Sequence, residues 1–253
     1  MSEKWKTSIS NIKSGDINIR GYNIVDMMEK LSFAESIFLL FKGSLPTSSE
    51  SALLNAILVS TIDHGPTSPS ALSSRVVASS GNSLNASVAA GVLAIGDWHG
   101  GAIEESAKIL QEWGEKDGAA KATALNLIDW LSENEKKMPG FGHKLHESDP
   151  RTSKLFDLAE KHNCTGKHIK LCKALEIEFE AKLSKKIPIN INGATAAVIS
   201  DLGFDWRVGK GIFIISRVPG LIAHYLEEQK REKPLRKLGP TPFEYDGPDE
   251  REI

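Results

Sequence analysis

The chain has 253 residues, of which 40% are hydrophobic and 25% charged, and its 33 acidic side chains against 31 basic ones leave a formal net charge of -2. These figures describe an ordinary globular chain long enough for a large core, and they exclude a disordered, collagen-like or low-complexity polymer. The near balance of charge removes any global attraction to nucleic acid or a membrane surface, so any site for a polyanion must be local.

Residues 1–15 are polar and lack the apolar core of a signal peptide, and the only pattern suited to a short strand falls at residues 17–19. Helical signals then recur to the end of the chain, which makes the predicted fold class all-α. Ser32-Phe33-Ala34-Glu35 spells a capping box ahead of an apolar run to Phe41, with Gly43 and Pro46 as its stop. Ser49-Glu50 opens a second helix carrying Leu53, Leu54, Ile57, Leu58 and Ile62 on one face. After the break at His64-Gly65-Pro66, Ser68-Pro69 opens a third, because proline suits a first helical turn.

Residues 84–95 are small or aliphatic and predict a central helix packed closely on several sides. That helix runs into Gly96-Asp97-Trp98-His99-Gly100-Gly101, where glycines around a histidine force a turn and bring bare backbone near any ligand. Helices at 102–113 and 119–135 lead to Met138-Pro139-Gly140-Phe141-Gly142-His143, a second set of glycines beside a histidine. Past Asp149-Pro150-Arg151 the pattern predicts helices at 152–161 and 167–185, a break at 188–193, a buried helix at 194–202 and a last helix at 211–231. The tail from Pro234 is rich in proline, glycine and charge and is expected to lie extended over a neighbouring surface.

Cys164 and Cys172 are too far apart on one helix to bridge and lack the close pairing of a zinc site, so a reducing, cytoplasmic setting is the simpler expectation. No run reaches the length needed to span a bilayer. Among the histidines, His146, His162 and His168 sit among charges and read as solvated, whereas His64, His99 and His143 lie at turns. His64 reads equally well as a plain cap. With no HExxH pair, imidazoles acting as hydrogen-bond donors or general acids fit better than a metal site. Arg217 lies in an apolar helix and needs either a protein carboxylate or an anionic ligand. Arg75, Arg151 and Arg217 converging on one pocket would suit a di- or tricarboxylate, because arginine forks grip carboxylates bidentately.

Taken in order, Asp63-His64, Gly96-Asp-Trp-His-Gly-Gly-Ala102, Pro139-Gly-Phe-Gly-His143, Asp149-Pro-Arg151 and Ser216-Arg-Val-Pro-Gly-Leu-Ile-Ala-His224 resemble the citrate synthase superfamily, in particular its short citryl-CoA lyase type and the lyase domain of ATP-citrate lyase. Arg20-Gly-Tyr22 and the segment after Ser32 resemble the family's amino-terminal region. The resemblance implies a large helical domain from residues 1–100 and 204–253 and a smaller helical domain, 101–203, inserted in it. His99 would stabilise the enolate of acetyl-CoA and His143 would exchange a proton with the oxaloacetate oxygen. His64, Arg151 and Arg217 would hold substrate carboxylates, and Arg236 would reach in from a second subunit. The backbone of Pro139, Gly140, Phe141, Gly142 and Lys144 would wrap the adenine end of CoA.

One position departs from the family. Asn190-Ile191-Asn192-Gly193 stands where the family has Asn-Val-Asp-Gly, so Asn192 replaces the aspartate that serves as acid and base, and a neutral amide accepts no proton near neutral pH. The implied activity is reversible cleavage of citryl-CoA, or a related hydroxyacyl-CoA, to acetyl-CoA and oxaloacetate. The alternatives are a citrate or 2-methylcitrate synthase-like condensing enzyme and a catalytically impaired binder of CoA or carboxylates. The expected partners are small molecules and a second copy of the chain, with CoA entering as part of the substrate and with no metal or tightly bound cofactor.

Overall fold

The computed structural model describes residues 5–142, 149–184, 186–236 and 246–252. The single strand expected at 17–19 is the middle of a three-stranded antiparallel sheet: β1 (Ser10–Lys13), β2 (Asp16–Ile19) and β3 (Tyr22–Asn23). Ser10 faces Ile19 in one hairpin and Ile19 faces Tyr22 in the next. The strands are too short for periodicity to stand out from a polar background.

Eleven α-helices follow among the described residues. α1 spans Ile24–Lys30 and α2 Phe33–Lys42. The predicted capping box is in place: Ser32 Oγ accepts from the Glu35 amide at 3.3 Å and Glu35 Oε2 accepts from the Ser32 amide at 2.7 Å. α3 (Ser48–Ser60) starts from a second capping box, Thr47 with Glu50, two residues before the predicted opening at Ser49. α4 is Pro69–Ser79 and α5 Leu84–Leu93.

α5 overturns its expected role. Only Ser87 and Gly91 are buried along it, and Leu84 and Leu93 are exposed. Its small residues serve one close approach: a Cβ on Gly91 would come within 2.8 Å of the Leu221 side chain and 2.9 Å of the Ser70 carbonyl. α5 therefore lies against α4 and the last helix, which contains Leu221, with its other side uncovered.

The central helix is α10. α6 (Ala102–Gly114), α7 (Ala120–Glu133), α8 (Pro150–Lys161) and α9 (Lys167–Leu183) precede it. α10 (Ile191–Asp201) packs on α6, α9 and α8 and is buried from Gly193 through Ser200. A 3-10 turn at Trp206–Val208 leads to α11 (Gly209–Arg231). Leu54 of the predicted large domain and Leu175 of the predicted small one belong to one continuous apolar cluster that runs from Ile37 to Phe213.

His168 is not solvated as its charged neighbours suggest. It is buried, and its Nδ1 lies 2.8 Å from Asp201 Oδ1 at the far end of α10. The same carboxylate accepts from the amides of Gly166, His168 and Ile169, so it caps the start of α9. His162 closes α8 half-buried, and His146 lies outside the described residues. Both cysteines are free thiols, and burial raises the pKa of Cys172 far above its ordinary value. The tail begins against α4, where the Leu235 amide donates to the Ser79 carbonyl at 2.8 Å.

Candidate active site

Six separate segments meet around a cavity of about 370 Å³. The loop between α3 and α4 contributes Thr61 and His64, and the turn before α6 contributes Trp98, His99 and Gly100. Gly142 and the start of α10, with Asn190, Ile191 and Asn192, form a second side. Arg151 at the start of α8 and Phe213 and Arg217 of α11 complete it. The structure thus brings His64, His99, Arg151, Arg217 and Asn192 together, although they are spread over more than 150 residues of chain.

Arg217 is 2% exposed and forms no ion pair with a described carboxylate. Its Nε donates to the Thr61 carbonyl at 3.0 Å, its Nη1 lies 3.5 Å from Ser70 Oγ, and its guanidinium sits 4.9 Å from the centre of the Phe213 ring. Desolvation lowers its pKa, Asp63 opposes that from beyond ion-pair range, and Arg151 adds to it. A buried cation met, among the described residues, by neutral acceptors and an aromatic face is suited to receive an anion.

His99 is half-buried, with its ring edge-on to Phe213 at 5.7 Å between centroids. Its Nε2 lies 2.9 Å from Ser70 Oγ. Arg217 only donates to that hydroxyl, whose second lone pair and single proton leave both His99 tautomers compatible with the contact; the tautomer with Nδ1–H is the one in which Ser70 donates to Nε2. Burial lowers the His99 pKa, reinforced by Arg217 and His64, and this favours a neutral ring with one N–H to offer.

Arg151 is already engaged. Its Nε and Nη2 grip the two oxygens of Asp149 at 3.0 and 2.8 Å, and its Nη1 reaches the Ser60 carbonyl at 3.3 Å. Burial pushes the Asp149 pKa up, but the Arg151 fork and the amides of Arg151 and Ile191 outweigh it and hold the carboxyl below its usual range.

The break expected at 188–193 is shorter than predicted, because α10 already begins at Ile191. Asn190 caps it, accepting from the Asn192 amide at 2.9 Å and donating through Nδ2 to the Gly142 carbonyl at 2.9 Å. Asn192 is therefore a first-turn residue facing the cavity. The Asn190 amide donates to the Gly140 carbonyl at 3.0 Å, and Gly140 has φ +80° with space for a Cβ only 2.5 Å from the Gly193 Cα, so no side chain fits there.

Of the proposed CoA-loop residues, Gly142 faces this cavity, whereas Pro139 lines a neighbouring cavity of about 470 Å³ with Lys137, Met138, Glu104 and Glu105. The exposed Trp98 borders both. Phe141 turns inward onto Phe179, 5.7 Å between centroids. His143 and Lys144 lie outside the described residues.

Arg236 does not line the cavity of its own chain. Its Nε and Nη2 pair with Glu228 at 2.7 and 2.6 Å. Arg75 is buried and held by Glu227 and Glu228 at 2.8 and 2.7 Å, so it leaves the group of candidate ligand arginines. Ser70, Thr61, Asn190 and Phe213 escaped the sequence reading, since their contacts with His99, Arg217, Gly142 and His99 respectively lie 29 or more residues away. Among the described residues no cluster of three or more His, Cys, Asp or Glu side chains is arranged to hold a metal ion, and no helix is long and apolar enough to cross a membrane.

The family model described as "Citrate synthase, C-terminal domain" matches residues 3–53 and 48–238. The chain belongs to the citrate synthase family. This citrate synthase family member is 29% identical over 237 residues to Citrate synthase 2 of Bacillus subtilis (strain 168), covering 92% of this chain and 61% of that protein. It is 26% identical over 249 residues to the Probable ATP-citrate synthase of Dictyostelium discoideum, covering 90% and 39%. The chain thus spans less than two thirds of the length of these relatives. Among solved structures, citryl-CoA lyase from Hydrogenobacter thermophilus superposes with a TM-score of 0.92 at 44% identity, covering 99% of this chain and 98% of that one. ATP citrate lyase from Methanothrix soehngenii, in complex with citrate and coenzyme A, shares the fold at a TM-score of 0.86 and 21% identity, covering 99% and 43%.

Proposed function

We propose that the chain is a citryl-CoA lyase, cleaving citryl-CoA, or a related hydroxyacyl-CoA, into acetyl-CoA and oxaloacetate. The observation that carries this reading is a buried Arg217, without a described carboxylate partner, on the same cavity as a half-buried His99, whose Nδ1–H tautomer is the one the proposed step uses. The 44% identity to the Hydrogenobacter citryl-CoA lyase over nearly all of both chains supports the same assignment.

In this reading Arg217 and Arg151, with His64, hold the carboxylates of the citryl group. His143 takes the carbinol proton, the carbon–carbon bond breaks, and its electron pair moves through the acetyl carbon onto the thioester oxygen. His99 Nδ1–H donates to that oxygen as charge develops, the arrangement that most strongly lowers such barriers. The proton that His143 took from the carbinol then returns through solvent to the enolate carbon and gives acetyl-CoA, because the Asn192 amide has none to give. CoA lies along Trp98 and the 139–144 backbone, toward the second cavity. Closure of a domain formed by residues 101–203 would keep water from the enolate.

We further propose a homodimer in which the uncovered side of α5 lies against a second copy, with Arg236 reaching the partner's site, and a reducing cytoplasmic setting that suits two free thiols. The test is direct: purified protein is mixed with citryl-CoA, and oxaloacetate and acetyl-CoA are measured separately. Release of both in equal amounts supports the lyase; neither cleavage nor binding of a CoA thioester overturns it.

Asn192 favours one second reading, a homologue that binds CoA and carboxylates with little turnover. No carboxylate appears among the described residues that line the cavity. Tight binding with no product over long incubation supports that reading. The condensing alternative is checked by supplying acyl-CoA with a panel of 2-oxo acids.

A further inference from the structure

We propose that His224 is a positioning residue that sets the pose of His64 on the cavity wall, acting through Asp63. The inference rests on the reading of the cavity as an anion site. Arg217 and His224 lie seven residues apart on α11, two helical turns along one face, and both reach the loop that follows α3. Arg217 holds the start of that loop through the Thr61 carbonyl, and His224 Nε2 holds the next part at 3.0 Å from Asp63 Oδ1.

The direction of the second contact follows from the chemistry of its neighbours. Arg75 Nη1 lies 3.1 Å from His224 Nδ1, and a guanidinium only donates, so Nδ1 is an acceptor and the imidazole proton sits on Nε2. That N–H points at Asp63. The Asp63 carboxylate also accepts from the Gly65 amide at 3.0 Å and from the His64 amide, so it binds the backbone on both sides of the His64 Cα. Without the imidazole, Asp63 would be a partly exposed side chain on a short loop, free to turn into solvent. With it, the carboxylate is tied to α11.

The anchor behind His224 is rigid. Arg75 is 6% exposed and is locked by Glu227 and Glu228, and Glu228 is 2% exposed and grips Arg236 as well. Deleting the imidazole leaves Arg75 with both of its carboxylates, so the fold keeps its buried ion pairs and only the link to the loop is cut. Glutamine at 224 restores an amide donor for Asp63 and a carbonyl acceptor for Arg75.

The experiment compares wild type, His224→Ala, His224→Gln, His64→Ala and the double variant His64→Ala/His224→Ala. Calorimetry reads oxaloacetate and citrate affinity, and imidazole resonances in 15N-histidine spectra are recorded without ligand. His224→Ala is expected to weaken oxaloacetate binding about tenfold, as loss of one aligned ligand contact does, and His224→Gln to stay within about threefold of wild type. The double variant is expected to bind no worse than His64→Ala alone, because the two residues act as one unit. Wild-type affinity in His224→Ala, or losses that multiply in the double variant, overturns the inference while leaving the site reading intact. If wild type binds neither acid, the site reading fails, and the spectra then decide the positioning role: a His64 resonance that moves in His224→Ala and returns in His224→Gln supports it, and an unmoved resonance overturns it.

Discussion

Ser70 Oγ stands 2.9 Å from His99 Nε2 and so couples the orientation and the tautomer of that ring to its own hydroxyl. Removing that hydroxyl lets the tautomer equilibrate and the ring turn. Ser70→Ala is therefore expected to lower kcat for citryl-CoA cleavage by about 10- to 100-fold with a smaller change in KM, because the lost alignment acts where charge develops. Steady-state kinetics check this, and an unchanged kcat would remove Ser70 from the mechanism.

The lowered pKa of His99 also predicts a pH dependence of stability. Below the ordinary imidazole value the unfolded chain takes up a proton that the folded chain resists, so this contribution is full above about pH 6.5 and is lost as pH falls toward the folded value. The stability of wild type relative to His99→Gln should decline from pH 7 to pH 5. Thermal melts of both proteins across that range test it.

Arg217 is buried without a described carboxylate, so its charge costs stability when no ligand is bound. Arg217→Met is expected to melt at or above the wild-type temperature while losing at least about 100-fold in citrate affinity, the scale of one charge-assisted bidentate contact. Thermal shift with and without citrate separates the two effects. A large drop in Tm without ligand would mean that the guanidinium serves the fold.

Asp201 has the opposite character. Its carboxylate serves three amides and the His168 ring, and those contacts outweigh the upward pull of burial to hold its pKa low. Its contribution is present above about pH 4 and lost as pH falls through the lower folded value. Asp201→Ala is expected to cost about 3 to 5 kcal/mol, the scale of breaking a buried pair, and urea unfolding at pH 7 measures it.

Asn192→Asp would put a carboxylate in the first turn of α10, where the helix dipole favours negative charge. If the family's acid/base acts from this position, turnover should rise by about 10²- to 10⁴-fold. No change in either cleavage or condensation would mean that proton transfer runs through another group.

Local chemistry made much of this legible in the sequence. The Ser32–Glu35 capping box, the proline at the head of α4 and the glycines beside His99 act within a few residues, and each of these stands in the structure. The misreadings concern partners far along the chain. His168 looked solvated because its neighbours are charged, yet its partner Asp201 lies 33 residues away. α5 looked central because small residues signal close approach, but they do not say on how many sides, and α10 holds the centre instead. Ser70 carried no local sign of its link to His99.

If Arg151 binds substrate as proposed, the fork it closes on Asp149 would make ligand capture there an exchange rather than an addition. A carboxylate arriving at Arg151 competes with one already in place at the head of α8, and it must offer better geometry to win. Small monoanions are poor competitors, whereas a polycarboxylate also anchored at Arg217 gains a high local concentration beside the fork. Under the proposed function, selectivity for molecules bearing several carboxylates would thus be built into the resting site.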